Sequence, residues 1–132
     1  MDHIDKLKEN FTTTDRYARM LGIELLEISP GFARVGMAVS DDMSNFHGIT
    51  HGGAVFSLAD SAFGLASNAH GIPAVALTVS IDYLAMTVPG DYLIAVAEEV
   101  QRSRKVSNYN IKVLNREEKL VAAMRGITYL KS

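Results

Sequence analysis

Between Gly53 and Ala69 the only charged residue is Asp60; everything else is Ala, Val, Leu, Phe, Ser, Gly or Asn. A helix of that composition has no solvated charged face, so the rest of the chain must wrap it. A carboxylate in such surroundings is costly to bury unless it is paired, hydrogen-bonded or raised in pKa, and groups kept at that cost serve chemistry more often than stability. Directly upstream, His51-Gly52-Gly53 places two glycines where the helix starts. Successive N–H groups at a helix N-terminus stabilise an anion, and glycine lets a substrate carbonyl come close to them. One wrapped helix with an oxyanion pocket at its start and a carboxylate two turns on has the parts of an acyl-transfer site.

What wraps the helix can be read from the flanks. The first twenty-odd residues are helical in pattern, with Thr14 or Asp15 a cap and Gly22 a stop, and residues 1–22 form an N-terminal arm. Ile23 to Ser29, a Pro30-Gly31 turn and Phe32 to Ser40 make a hairpin, its second strand alternating Ala33, Val35, Met37 and Val39 against Phe32, Arg34, Gly36 and Ala38. Asp41 to Thr50 is a polar, irregular loop, and the long helix that follows ends near His70-Gly71. Four strands then run over Ala74 to Met86, Tyr92 to Gln101, Val106 to Leu114 and Leu120 to Leu130. The order helix, two strands, long helix, four strands predicts an α+β domain in which a curved antiparallel sheet wraps the helix.

The 132 residues suit a single domain, 1–132, with one core. A net charge of −2 gives no general attraction to nucleic acid, so any anion site is local. The chain has no cysteine, which excludes disulfides, thiolate nucleophiles and Cys-ligated metals. The charged N-terminus lacks a signal-peptide core, and Ser61 to Ile81, though free of Asp, Glu, Lys and Arg, is broken by Asn68, His70, Gly71 and Pro73. The expectation is a cytoplasmic protein that neither crosses nor binds a membrane. His47 and His51 lie four apart, but the residues between them do not promise a helix and no neighbouring carboxylate completes a ligand set, so no metal site is expected.

The run Asn45-x5-His51-Gly52-Gly53-x6-Asp60, then Asn68, Gly71 and the strand Ser80-Ile81-Asp82-Tyr83-Leu84, closely resembles the hotdog-fold acyl-CoA thioesterases, in particular their phenylacetate-degradation, PaaI-like branch. The likeness covers nearly the whole chain. It implies the hotdog fold, and it implies that Asp60 is general base or nucleophile, that Gly52 supplies the oxyanion N–H and that Asn45 helps to place the reacting groups. His51 orients the loop or touches substrate. Thr78 stands where relatives often have a Ser or Thr that holds the water. Gly53 and the turn Arg102-Ser103-Arg104-Lys105 are the expected contacts of the coenzyme A moiety, the basic residues being suited to its phosphates. Coenzyme A would enter as part of an acyl-CoA substrate, aryl-acetyl or short to medium in chain length, with no separate cofactor.

Geometry bears on assembly. Gly52 and Asp60 are eight positions apart, about 12 Å along an α-helix. A donor and an attacking group must each come within roughly 3 Å of the reacting atoms, so one chain cannot bring both to one carbonyl. If both act, Gly52 of one subunit meets Asp60 of another across a two-fold axis, which makes a homodimer the minimal active unit. The resemblance implies the same, with dimers pairing into homotetramers. Two other readings are a hotdog module that binds acyl-CoA without turnover and a hotdog hydratase or dehydratase. The Asn45, Gly52, Asp60 set argues against the first, and the lack of an acidic partner for His51 argues against the second.

Overall fold

The computed structural model describes residues 2–131. Local signals account for each helix end. Helix α1 (His3–Thr13) starts where the Asp2 carboxylate accepts from the Asp5 N–H, and α2 (Arg16–Leu21) where the Asp15 carboxylate accepts from Ala18. Gly22, at φ 71°, stops α2. The arm is thus two helices that meet at Thr14 and Asp15, where the sequence placed a cap. A hairpin of β1 (Glu24–Ser29) and β2 (Phe32–Ala38) leads through a 3-10 turn at Asp41–Met43 to the long helix α3 (Gly52–Asn68). Strands β3 (Ala74–Tyr83), β4 (Tyr92–Arg102), β5 (Val106–Leu114) and β6 (Leu120–Leu130) follow.

The six strands form one sheet in the order β1-β2-β4-β5-β6-β3, each neighbouring pair antiparallel. This is the expected hotdog fold, a curved sheet around one long central helix with a short helical arm. The inward row of the sheet is rich in small side chains: Ala33 pairs with Ala97, Val35 with Ala95, and Ala95 in turn with Val113. These residues are fully or almost fully buried, as are Leu58, Ala59, Ala62, Phe63 and Ala66 on the face of α3 turned to them. Small residues on both surfaces let the helix sit close to the strands. Gly126 marks a close approach of helix and sheet, since a Cβ there would lie 2.5 Å from Cζ of Phe63, whose ring meets Tyr109 edge-on.

Strands β1, β2 and β4 differ from the sequence reading by one or two residues at an end, and three larger differences have a physical cause. Helix α3 ends at Asn68, not at His70-Gly71, because the Asn68 side chain exchanges two hydrogen bonds with the backbone of Ala74 and turns the chain straight into β3. Strand β3 ends at Tyr83 instead of Met86, for Leu84 and Ala85 both donate to the Val121 carbonyl and leave the ladder. The wrapping of α3 is also incomplete: Gly53, Asp60 and Gly64 lie exposed and Phe56 half-buried in one lengthwise stripe that the sheet does not reach. At the far end, Glu99 accepts from the Tyr109 hydroxyl (2.9 Å) and contacts His70 Nε2 (2.8 Å), tying the turn after α3 to β4 and β5. Among the described residues no helix is long and apolar enough to cross a membrane.

Candidate active site

A helix start leaves four N–H groups without intrahelical acceptors. In α3 these belong to His51, Gly52, Gly53 and Ala54, and three are taken: His51 donates to the Met43 carbonyl (2.6 Å), Gly53 to Nδ1 of His51 (2.9 Å) and Ala54 to the His51 carbonyl (3.0 Å). Only the Gly52 N–H has no acceptor among the described residues. Residue 51 therefore caps the helix twice, and its Nδ1, as acceptor, puts the proton of the neutral ring on Nε2. Gly53 is glycine for this cap, since a Cβ would come within 3.1 Å of that nitrogen. Its N–H, engaged in this way, is not open to a ligand.

Gly52 lines a groove of about 340 Å³ together with Asn45, Thr50, Tyr83, Thr87 and several apolar residues. Asn45 braces the loop, its Oδ1 accepting from His47 (2.8 Å), while its Nδ2 has no acceptor among the described residues. The hydroxyls of Thr50 and Thr87 are buried without a hydrogen-bond partner. These two threonines were not singled out from the sequence; only the adjacency of Thr50 to His51 hinted at them.

Asp60 belongs to a different groove, larger at about 830 Å³ and lined by Leu7, Phe11, Tyr17, Phe56, Asp60 and Leu65 among others. The arm forms its far wall, held by the Tyr17 hydroxyl donating to Oγ of Ser57 (2.8 Å), which itself donates to the Gly53 carbonyl (2.8 Å). The carboxylate has no hydrogen bond or ion pair among the described residues. The sequence reading expected it wrapped; it is exposed in the single chain because position 60 falls on the uncovered stripe. The surrounding groove still withdraws enough solvent to push its pKa above the ordinary aspartate value.

Thus one chain brings Asn45, His51 and Gly52 together and holds Asp60 apart from them. Thr78 joins neither group. The β3–β6 register shifts between Ala76 and Thr78, so that Thr78 faces Ile127 and lines a third groove with Ser80, Asn110 and Arg125. Without that bulge, Thr78 would lie opposite Gly126 and point at the helix. The turn Arg102-Ser103-Arg104-Lys105 is at the sheet end beside the start of β3. There Ser103 N–H donates to Val106 O (2.8 Å), Leu130 N–H donates to Lys105 O (2.8 Å), and the Lys105 ammonium is 5.8 Å from the Tyr129 ring centre. Within one chain it meets neither Gly52 nor Asp60. Among the described residues no cluster of three or more His, Asp or Glu could hold a metal ion.

Comparison with known proteins agrees with this architecture. Residues 47–122 match the model of the Thioesterase superfamily. The acyl-coenzyme A thioesterase PaaI of Escherichia coli K12 is 41% identical over 112 residues, covering 85% of this chain and 80% of that protein. The structure of the E. coli PaaI protein from the phenylacetic acid degradation operon superposes with a TM-score of 0.94 over 98% of this chain and 94% of that one, at 35% identity. A Streptococcus mutans protein solved with acetyl CoA superposes at 0.81, with 29% identity over 84% of this chain and 90% of that one.

Proposed function

Because the chain belongs to the thioesterase superfamily, in its PaaI-like hotdog branch, and is a thioester hydrolase acting on acyl-CoA, we propose that its working site is shared between two subunits. Gly52 of one subunit faces Asp60 of the partner subunit. The observation that carries this reading is the separation described above: the one open N–H of α3 and the one carboxylate on its uncovered stripe occupy different grooves of the same chain.

The sheet supports a way to bring them together. Strand β3 is an edge strand that pairs only with β6 and exposes Val75, Leu77 and Tyr83. Its start is bonded to the end of α3 through Asn68, and its end lies against the start of α3, where a Cβ on Gly52 would be 3.4 Å from the Tyr83 ring. Two copies joined antiparallel along β3 would lay the two α3 helices antiparallel. The Gly52 end of one would then meet the Arg102–Lys105 end of the other. Such a dimer has two equivalent sites, and pairs of dimers would form the tetramer.

In this site the thioester carbonyl oxygen accepts from the Gly52 N–H, and the α3 dipole favours the negative charge that develops there. Asp60 either takes a proton from a water that attacks the carbonyl carbon, or attacks that carbon itself to give a mixed anhydride that water opens. In both routes the C–S bond breaks, coenzyme A leaves as thiolate and takes up a proton, and the acyl group leaves as the free acid. Asn45 Nδ2, without an acceptor among the described residues, would hold the carbonyl or the water. The large groove beside Asp60, with Phe11, Tyr17 and Phe56 in its wall, suits an aryl-acetyl or short to medium acyl group. The basic turn takes the phosphates of coenzyme A, and the reaction runs in the cytoplasm with no further cofactor.

The test is a free-thiol release assay over phenylacetyl-, hydroxyphenylacetyl-, benzoyl- and straight-chain acyl-CoAs, for wild type and Asp60→Asn. Turnover by wild type alone supports the assignment and ranks the acyl groups. Retention of most activity in a folded Asp60→Asn protein would remove Asp60 from the mechanism.

A further inference from the structure

Of the ten glycines in the chain, five take a positive φ, three more sit where a Cβ would press on a side chain at 3.1 Å or less, and Gly52 begins α3. Gly64 fits none of these. It lies inside α3, exposed, and a Cβ built on it would meet nothing within 4 Å. A glycine inside a helix destabilises it relative to alanine, and no neighbouring atom of the chain uses the space that this one leaves. Gly64 lines the 830 Å³ groove together with Asp60, one helical turn before it, and with the apolar side chains of Leu7, Phe11 and Leu65. On the other side of Asp60 the Tyr17–Ser57 hydrogen bond (2.8 Å) joins the arm to α3, so the open length of the groove runs from Asp60 past Gly64 toward Asn68.

We infer that Gly64 is a specificity-determining residue, whose missing side chain leaves the room that the far end of the acyl group occupies. The inference rests on the thioesterase reading and deepens it, by assigning the size limit of the substrate to one position. Gly64 lies about 6 Å beyond Asp60 along the helix axis, at about 1.5 Å per residue. With the thioester carbonyl beside Asp60, that span is close to the reach of an aryl-acetyl group from its carbonyl carbon to the para edge of the ring. An acetyl group does not extend so far. A methyl at position 64 narrows the groove under the ring and a leucine side chain fills it, while Asp60 and the Gly52 N–H keep their places. The chain therefore selects acyl groups that extend about a ring's length past the carbonyl.

The experiment compares wild type, Gly64→Ala and Gly64→Leu on phenylacetyl-CoA and acetyl-CoA. The ratio of kcat/KM for the first substrate to that for the second should fall in the alanine variant and fall further, by about tenfold or more, in the leucine variant, the discrimination that a methylene or two gives in an apolar pocket. An unchanged ratio in Gly64→Leu would overturn the inference. Binding is read separately by calorimetry with S-(2-phenylethyl)-CoA and S-ethyl-CoA, thioethers that cannot be hydrolysed. Gly64→Leu should lose about tenfold more affinity for the first than for the second, and equal losses would overturn the inference whether or not the esters turn over. Wild type that binds the phenylethyl thioether but releases no thiol from the ester would fail the hydrolase reading and leave the size limit standing; wild type that binds neither thioether would overturn both. The melting temperature of Gly64→Ala should hold or rise, because alanine is the better helix former and meets no neighbour. A fall, with loss of the oligomer by light scattering, would assign this glycine to packing between subunits instead.

Discussion

Gly52 can be stripped of its N–H without disturbing the helix it begins. It is the first helical residue of α3, the one helix position that favours proline, whose missing N–H deletes a donor that the helix itself leaves unbonded. The preceding residue, His51, has φ −62° and ψ 134°, the extended conformation that a residue before proline requires. A Cβ at position 52 would stand 3.4 Å from the Tyr83 ring, an ordinary contact. Gly52→Pro should therefore fold and melt close to wild type, while kcat falls about 100- to 1,000-fold, the usual loss for one oxyanion donor. Co-expression of Gly52→Pro with Asp60→Asn under two tags adds a test of geometry. The purified heterodimer carries one doubly broken site and one intact site, so it should recover about half the wild-type rate, although each parent is inactive. A folded Gly52→Pro enzyme with more than about a tenth of wild-type kcat would refute the oxyanion role. A silent heterodimer would refute the shared site.

The raised pKa of Asp60 sets the sign of two further effects. In the proposed mechanism its ionised form reacts, so kcat/KM should climb with pH through a limb above the ordinary carboxylate range; a limb at the ordinary position would contradict the desolvation argument. For stability, a carboxyl whose folded pKa is raised contributes while protonated, below its unfolded pKa, and that contribution is lost as pH rises through the folded pKa. Asp60→Asn should thus melt above wild type at neutral pH and match it in acid, as thermal scans at several pH values would show. Glu at both Arg102 and Arg104 should raise KM for acyl-CoA and spare short thioesters without phosphates; equal changes in both would dissociate this turn from coenzyme A. Gly126→Ala should cost about 1–3 kcal/mol in denaturant melts, because its methyl group overlaps the buried Phe63 ring; an unchanged midpoint would mean the ring can move aside.

The parts of the fold that were legible in the sequence are those set by local pattern. Strands β5 and β6 begin and end at the predicted residues because turn-forming residues bound both. The Asp15 cap and the Gly22 stop followed from side-chain chemistry and chirality alone. What escaped was set by distant contacts. The hydrogen bonds from Asn68 to Ala74 shorten α3, and nothing in the helical periodicity announces them. The bulge after Ala76 reverses the face of Thr78, and the unbroken apolar run Ala74-Val75-Ala76-Leu77 before it carries no sign of such a slip. At the site, the helix-start glycine and the carboxylate were legible from position. The exposure of Asp60 was not, because an apolar stripe reads the same whether its own sheet or another surface covers it.

A helix start with a single open N–H is a poor trap for the molecule that hydrolysis leaves behind. Anion-binding helix termini hold a phosphate or carboxylate through several N–H groups at once. Here His51 takes two of the four and its own N–H goes to the Met43 carbonyl, which leaves one contact, enough for a carbonyl oxygen whose charge would grow only during reaction. A free acid spreads its charge over two oxygens, can use that contact for one of them, and meets an ionised Asp60 of like sign. In the proposed site the cap would therefore also favour departure of the acid over its retention as an inhibitor.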